Sequence, residues 1–222
     1  MKLYKKIIFK GKITLLSGLH IGAGKDSIEI GGVDAPVVRK KDGTMEPYIP
    51  GSSIKGKIRS LLEISAGITG PERSHGKPVG NLFGNIPSGE IKSSNASRIL
   101  VRDSYLTPES KTKLLNSTNT DLPYTEVKAE TAIDRVAGSA KNGSLRLRER
   151  IPAGAVFEVE FVINVVGDSE SSASANEKEF LDTFKKGVAL LNDDYLGGSG
   201  SRGYGHIRID LDSPLVKEIS NY

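Results

Sequence analysis

The stretch NEKEFLDTFKKGVALLNDDYLGGSGSRGYGHIRIDL, residues 176–211, carries the clearest signals for the fold. Apolar residues recur at helical spacing in its first half and predict a helix over about Asn176–Asn192. The inner face of that helix consists of Phe180, Leu181, Phe184, Val188 and Leu191. Five glycines follow within Gly197–Gly205, and the alternating residues of Ile207–Leu211 predict a strand. The order is therefore helix, glycine-rich loop and strand.

Three further periodic stretches complete the fold prediction. Apolar and polar residues alternate in Lys5–Leu15 and in Ala155–Val166, which predicts two strands that each have a buried face. An apolar stripe in Ser53–Ala66 predicts a helix that is capped by Ser52 or Ser53. Together with the C-terminal elements, these stretches indicate an α+β chain of ferredoxin-like type with long insertions.

The connecting segments give weaker signals. Ile68–Ser97 has little periodicity and is rich in Gly, Pro, Ser and Asn, so we predict a long surface loop or lid. Arg98–Leu106 is predicted to be a strand, and Tyr124–Arg150 to be a projecting hairpin around Gly138–Gly143. Asp168–Ala175 is polar and serine-rich and is predicted to be a flexible linker.

The composition narrows the class of protein. A chain of 222 residues suits one domain with insertions, and 37% hydrophobic with 26% charged residues is typical of a soluble globular protein. No apolar run approaches the roughly 20 residues that a membrane-spanning helix needs, and the lysine-rich N-terminus predicts a strand rather than a signal peptide. The chain has no cysteine, which excludes disulfides and thiolate catalysis and is consistent with a cytoplasmic location.

The positive charge is concentrated in three clusters. The formal net charge is +4, and basic residues gather in Lys5–Lys12, Lys55–Arg59 and Arg146–Arg150. The second cluster occupies the first turns of a predicted helix, where the helix dipole disfavours cations unless an anion is bound there. Each cluster alone is compatible with a solvated surface. Three clusters beside glycine-rich turns favour a polyanion such as nucleic acid.

The glycine loop matches the dinucleotide fingerprint G-x-G-x-x-G at Gly198–Gly203, but that fingerprint requires a strand before it and a helix after it. The predicted order here is the reverse. Gly18–Lys25 likewise fails as a phosphate-binding P-loop, because Ala23 replaces a required glycine. What remains is an RNA-binding interpretation in which glycine amides and Arg202 contact phosphates and Tyr204 offers a ring for a base or ribose.

Three motifs of the chain are GLHIG at 18–22, IPGSSIKG at 49–56 and the glycine loop. In these motifs the chain resembles the RAMP superfamily of CRISPR RNA-binding proteins. RD at 102–103, ETAIDR at 130–135 and ERIPAG at 149–154 look specifically like the multi-copy backbone subunit of type III-A (Csm) effector complexes. The resemblance implies a modified ferredoxin-like (RRM-like) core in a single domain 1–222, with a lid-like insertion at 68–97 and a thumb-like hairpin at 120–150.

The same resemblance implies partners and binding residues. The partners are crRNA, target RNA, copies of the chain stacked head to tail, and other Csm subunits, with no membrane. The implied RNA-binding residues are His20, Gly22, Ser53, Lys55, Lys57, Arg59, Ile133, Asp134, Arg135, Gly197, Gly198, Ser199, Gly200, Ser201, Arg202, Gly203 and Tyr204. Ile133–Arg135 would belong to the thumb.

The resemblance implies that the chain cleaves the target RNA at regular intervals. It assigns this cleavage to Asp34, with a divalent metal (Mg or Mn) supplied with the RNA substrate. One carboxylate is a weak metal site by itself, so phosphate oxygens of the RNA would complete it. Without the resemblance, Asp34 would be interpreted as a turn residue after two glycines. Glu29 and Asp103 are reserve candidates.

Two alternatives remain open from the sequence. The chain would be a crRNA-binding scaffold without chemistry, or a stand-alone nuclease that processes crRNA without metal through a histidine or tyrosine. The second alternative ranks lower, because the three histidines lie in unrelated segments and no cluster of His, Tyr and Lys is visible.

Overall fold

The computed structural model describes residues 1–24, 35–68, 77–85, 95–118 and 120–221. Its elements, in chain order, are β1 (Lys2–Leu15), β2 (Tyr48–Ile49), α1 (Gly51–Ser65), α2 (Pro78–Phe83), β3 (Ile99–Val101), β4 (Ser104–Tyr105), α3 (Pro108–Leu115), β5 (Glu126–Glu130), β6 (Arg146–Arg150), β7 (Val156–Gly167), α4 (Glu170–Asn192), a 3-10 turn (Gly200–Arg202), β8 (Ile207–Leu211), β9 (Leu215–Glu218) and a second 3-10 turn (Ile219–Asn221).

The main sheet has the strand order β3-β7-β1-β8, and its described pairings are antiparallel. Because β1 is long, two strands share one of its edges: β8 pairs with Gly11–Leu15 and β9 pairs with Lys5–Ile8. β2 pairs with β4, and β5 pairs with β6, in separate two-stranded ribbons. The predicted mixture of helices and strands is confirmed, and the structure shows that the sheet is antiparallel.

The core lies between one face of this sheet and the helices. The alternation predicted for the first strand is confirmed, since its inward residues Ile7, Phe9, Ile13 and Leu15 are all buried. The ring of Phe184 on α4 lies 4.9 Å from that of Phe9 and 5.0 Å from that of Phe161, measured between centroids. Aromatic rings in tilted and edge-on pairs stabilise a core by more than the burial of their surface area alone.

Helix α1 begins two residues earlier than predicted and without a serine cap. Pro50 occupies the N-cap position and no side-chain cap hydrogen bond is made there, so the predicted Ser52 or Ser53 cap is wrong. The carboxylate of Asp103 accepts a hydrogen bond from the Gly51 amide at 2.8 Å instead. A distant acidic residue therefore supplies the negative charge that a helix start favours, which a local sequence pattern cannot reveal.

Helix α4 is six residues longer at its start than predicted. It begins at Glu170, so the predicted linker Asp168–Ala175 is wrong over most of its length. Ser169 is the N-cap, and Ser169 and Ser172 form a reciprocal capping box. The serines that suggested a flexible linker start the helix, because their hydroxyls satisfy the free amides of its first turn.

This cap gives a first prediction. Replacing Ser169 by Ala should lower the free energy of unfolding by about 1 kcal/mol, because the Ser172 amide loses its acceptor. Urea unfolding followed by circular dichroism measures the change. Ser174→Ala, at an exposed position inside the same helix, is the matched control and should be nearly neutral. Equal effects of the two substitutions would contradict the capping role.

The insertions differ in detail from their predictions. The hairpin predicted for Tyr124–Arg150 is confirmed as the antiparallel pair β5 and β6. The strand predicted for Arg98–Leu106 is interrupted between β3 and β4. Ile68–Ser97 contains helix α2, so it is not a structureless loop, while 69–76 and 86–94 lie outside the described residues. Within the described ranges, no helix has the length and apolar character to cross a membrane.

Candidate RNA-binding site

The glycine loop packs against the segment that follows β1. The Gly198 amide donates to the His20 carbonyl and the Gly205 amide donates to the Gly18 carbonyl, both at 2.9 Å. A Cβ at Gly205 would lie 1.9 Å from the Leu196 carbonyl oxygen, so close backbone packing requires glycine there. Gly203, by contrast, has a positive φ and open space around it. Part of the loop is thus structural, and part leaves its backbone accessible.

His20 is held in this junction. Its side chain is buried, and its Nδ1 lies 2.7 Å from the Glu149 carbonyl oxygen. Because a carbonyl only accepts, Nδ1 must donate, and the Nε2 of a neutral ring is then an acceptor. An acceptor at Nε2 suits a ribose hydroxyl. The RNA contact of His20 stays a prediction.

The basic residues of α1 each have an intramolecular contact. Lys55 Nζ donates to Ser97 Oγ at 2.7 Å, and burial, followed by the charge of Arg59, lowers the pKa of Lys55. Lys57 Nζ lies 3.0 Å from Asp194 and over the ring of Tyr195, and Arg59 pairs with Glu63 in the next turn. Their role on guide phosphates stays a prediction, since these contacts would be exchanged or shared on binding.

Tyr204 does not present its ring to solvent. It is only 1% exposed, and its ring lies under Lys128 Nζ at 4.8 Å and under the Arg150 guanidinium at 5.1 Å. Burial, followed by the nearby Glu130, raises the pKa of its hydroxyl. The prediction that the Tyr204 ring is available for a base or ribose is therefore wrong. The ring instead joins the glycine loop to the base of the β5–β6 hairpin.

One face of that hairpin carries a cluster that the sequence interpretation did not identify as a site. The register places Lys128 opposite Arg148 and Glu130 opposite Arg146. We call these four residues the charged ribbon face. Arg202 of the glycine loop reaches the same open cleft. The alternation of RLRER at 146–150 was the available signal, but only the pairing with β5 shows which charges meet.

The remaining predicted residues lie after β1, on α1, at the 3-10 turn and near the hairpin tip. Gly22 and Ser53 are exposed and half-buried, respectively, and Ser199, Gly200 and Ser201 lie at the start of the 3-10 turn. Ile133 and Arg135 are exposed near the hairpin tip, where Asp134 Oδ1 accepts from the Val136 and Ala137 amides. The side chain of Val136 is 99% exposed. An apolar tip in water is typical of a surface that contacts a partner.

A buried ionic group fixes the chain segment that follows residue 34. Glu149 Oε2 accepts from the Val37 amide at 2.7 Å, and Oε1 accepts from Thr125 Oγ1 at 2.6 Å and from Arg39. The Glu149 amide also donates to the Ala35 carbonyl at 3.3 Å. Residues 35–39 are thereby tied to the base of the hairpin.

The predicted catalytic residue Asp34 and the reserve candidate Glu29 lie outside the described residues. The other reserve candidate, Asp103, accepts the hydrogen bond of the Gly51 amide at the start of α1. In the part of the chain that the structure describes, no group of three or more His, Asp or Glu side chains is positioned to hold a metal ion. The described residues alone therefore do not form a metal centre.

Comparison with known proteins identifies the family. The RAMP superfamily model matches residues 12–208. A relative from Methanocaldococcus jannaschii, named CRISPR system Cms endoribonuclease Csm3, is 42% identical over 211 residues, which is 91% of this chain and 78% of that protein. The chain belongs to the RAMP superfamily and, within it, to the Csm3 family. A protein of the same name from Enterococcus italicus is 38% identical over 214 residues, with 95% and 92% of the two chains covered.

Solved structures agree with this placement. A chain in the crystal structure of a Csm3-Csm4 subcomplex of the type III-A CRISPR-Cas interference complex is similar with a TM-score of 0.61 and 32% identity, covering 100% of this chain and 84% of that one. A chain of the type III-B Cmr-beta complex bound to cognate target RNA has a TM-score of 0.58 and 15% identity, with coverage of 97% and 61%. The second similarity concerns the fold alone.

Proposed function

We propose that this chain is an RNA-guided endoribonuclease and the repeated backbone subunit of a type III-A CRISPR effector complex. It would bind crRNA and cleave complementary target RNA at regular intervals. The main support for this proposal is the 42% identity, over 91% of the chain, to a relative named as a Csm3 endoribonuclease. The basic residues that converge on the glycine loop and hairpin base support RNA as the ligand.

The proposal includes the finer architecture implied by the family. The core is of the modified ferredoxin-like type, residues 68–97 form a lid and residues 120–150 form a thumb. The exposed Ile133 and Val136 at the hairpin tip support the thumb assignment, because apolar tips of this kind can press between bases. The partners are crRNA, target RNA, copies of this chain stacked head to tail, and other Csm subunits. Head-to-tail stacking needs two different surfaces on each copy.

We further propose that cleavage depends on a divalent cation. The cation would be bound by Asp34 together with phosphate oxygens of the RNA, since the described residues supply no group of three ligands. When bound, it supplies positive charge at the phosphate that reacts. The nucleophile is the 2′-hydroxyl of the target: its oxygen bonds to phosphorus as the bond to the next 5′ oxygen breaks. The 2′-hydroxyl gives its proton to water, and the departing 5′ oxygen takes a proton from water. The products would be a 2′,3′-cyclic phosphate and a 5′-hydroxyl end.

Cleavage of a labelled target by the assembled complex tests this function. We expect a ladder of products at a constant spacing, lost with EDTA and restored by excess Mg²⁺ or Mn²⁺. A target with 2′-deoxy nucleotides at the cleavage positions should bind and stay intact. A target that is never cut while the complex binds it would support the scaffold alternative. Cleavage of repeat RNA by the isolated chain in EDTA would support the metal-independent crRNA-processing alternative.

A further inference from the structure

The charged ribbon face contains one cross-strand pair that opposes folding. Lys128 and Arg148 are directly opposite each other on paired strands, and like charges in that position destabilise a sheet. The neighbouring pairs, Glu130 with Arg146 and Glu126 with Arg150, have opposite charges. Arg146 and Arg202 line the same cleft as Lys128 and Arg148. Bringing these four cations together requires a source of negative charge.

The only carboxylate among the described residues lining this cleft is Glu130, and it does not meet that requirement. Its Oε2 lies 3.4 Å from Arg148 Nε and 3.7 Å from Arg202 Nε, which are long distances for ion pairs. Arg148 Nε is buried and makes no hydrogen bond to the described residues. Buried N–H groups without an acceptor are rare, and this one belongs to a residue that lines the cleft.

Glu130 itself stays ionised near neutral pH. Burial alone would raise the pKa of Glu130, but the Tyr204 hydroxyl and the charges of Arg202, Arg148 and Lys128 lower it overall. Even with this carboxylate charged, four cations face one anion across the cleft. The unbalanced charge in the cleft is therefore positive near neutral pH.

The position of this face relates it to the segment after residue 34. Ala35 pairs with Arg148 in an isolated bridge, and the next hairpin residue, Glu149, binds the Ala35 carbonyl. Ala35 follows the proposed catalytic residue directly in the sequence. An anion bound on the ribbon face would therefore lie beside the described end of that segment.

We propose that the charged ribbon face, together with Arg202, is a binding site for phosphodiester groups of RNA. The inference rests on the proposed function and assigns to it residues outside the glycine loop and helix α1. Three of the four cations are arginines, whose planar guanidinium groups match phosphate oxygens in pairs. Guide and target strands offer the same phosphodiester chemistry, so the experiment must distinguish them.

RNA binding of the full chain at several salt concentrations tests the site. Lys128→Gln and Arg146→Gln should each reduce the slope of log affinity against log salt by about 0.7 to 0.9, with severalfold weaker binding. Lys186→Gln and Arg208→Gln, on exposed positions of α4 and β8, are matched controls and should leave the slope unchanged. A reduced salt slope with guide RNA alone would assign the site to the guide strand. A slope that is reduced only with the guide–target duplex would assign the site to the target strand.

Thermal unfolding separates this role from a structural one. Lys128→Gln removes the repulsion with Arg148 and also the contact with the Tyr204 ring, which have opposite effects on stability. The midpoint should therefore change by less than about 2 °C. A lower midpoint with an unchanged salt slope would mean that Lys128 is structural, and the proposal would be wrong. Slopes that match the controls would overturn it too. Failure of the unmodified chain to bind guide or duplex would instead overturn the proposed function.

Discussion

Replacing Asp34 by Ala is expected to slow target cleavage at least about a hundredfold while the complex still binds guide and target RNA. The physical reason is the sign of the charge. Phosphates are held by cations, and the cations that we propose to bind RNA lie on α1, the glycine loop and the hairpin. Removing a carboxylate takes away none of them and reduces repulsion of the RNA, so affinity should be unchanged or slightly higher.

Single-turnover cleavage by the assembled complex and anisotropy with a non-cleavable target measure the two effects separately. Asp212→Ala, at an exposed position after β8, is a matched control that removes the same charge elsewhere. Asp34→Asn should also be inactive, because the amide keeps the shape and loses the charge. Loss of binding together with cleavage would contradict a catalytic role for Asp34 and indicate that it shapes the site. Retention of cleavage would remove the assignment entirely.

The periodic parts of the fold were predictable because their signals are local. Alternation in β1 and β7 predicts which residues face the helices, and the buried Phe9 and Phe161 confirm it. The start of α4 was missed because serines serve equally well in a linker and in a capping box. Whether Ser169 caps a helix depends on the residues that follow packing against the sheet, as Phe180 and Phe184 do.

The candidate site was predictable in its chemistry but not in its geometry. The glycine loop and the basic clusters are visible in the sequence, and they indicate a polyanion. The burial of Tyr204 depends on Lys128 and Arg150, which approach only when the hairpin folds onto the loop. Likewise, the opposition of Lys128 and Arg148 follows from strand register, which the composition of either strand does not specify.

Replacing Glu149 by Ala is expected to lower the free energy of unfolding by about 3 to 5 kcal/mol. The Glu149 side chain is 3% exposed and that of Arg39 is 14% exposed, so water cannot replace the missing carboxylate easily. The substitution leaves the Arg39 guanidinium without its counter-ion and removes the acceptor of the buried Val37 amide. Each buried group left unsatisfied adds its own desolvation cost.

A matched control exists on the same hairpin. Glu126 pairs with Arg150 on strands β5 and β6, but these side chains are 27% and 22% exposed. Glu126→Ala should therefore cost less than about 1 kcal/mol, as is usual for ion pairs in contact with water. Urea unfolding of the two variants measures the difference. If Glu149→Ala and Glu126→Ala lower the free energy of unfolding by the same amount within error, the buried contacts of Glu149 do not stabilise the chain as proposed.

A double substitution distinguishes the value of the ion pair from the cost of breaking it. Arg39→Met and Glu149→Leu together should destabilise the chain less than the sum of the single changes, because neither charge is then left alone in the interior. The cost that remains would reflect the Val37 amide and the Thr125 hydroxyl, which still lose their acceptor. Strictly additive effects would mean that Arg39 is solvated in the single variant and that the pair contributes little. A double variant that is much less destabilised than the sum would locate the stability of segment 35–39 in this one buried contact, close in sequence to the residue proposed to cut RNA.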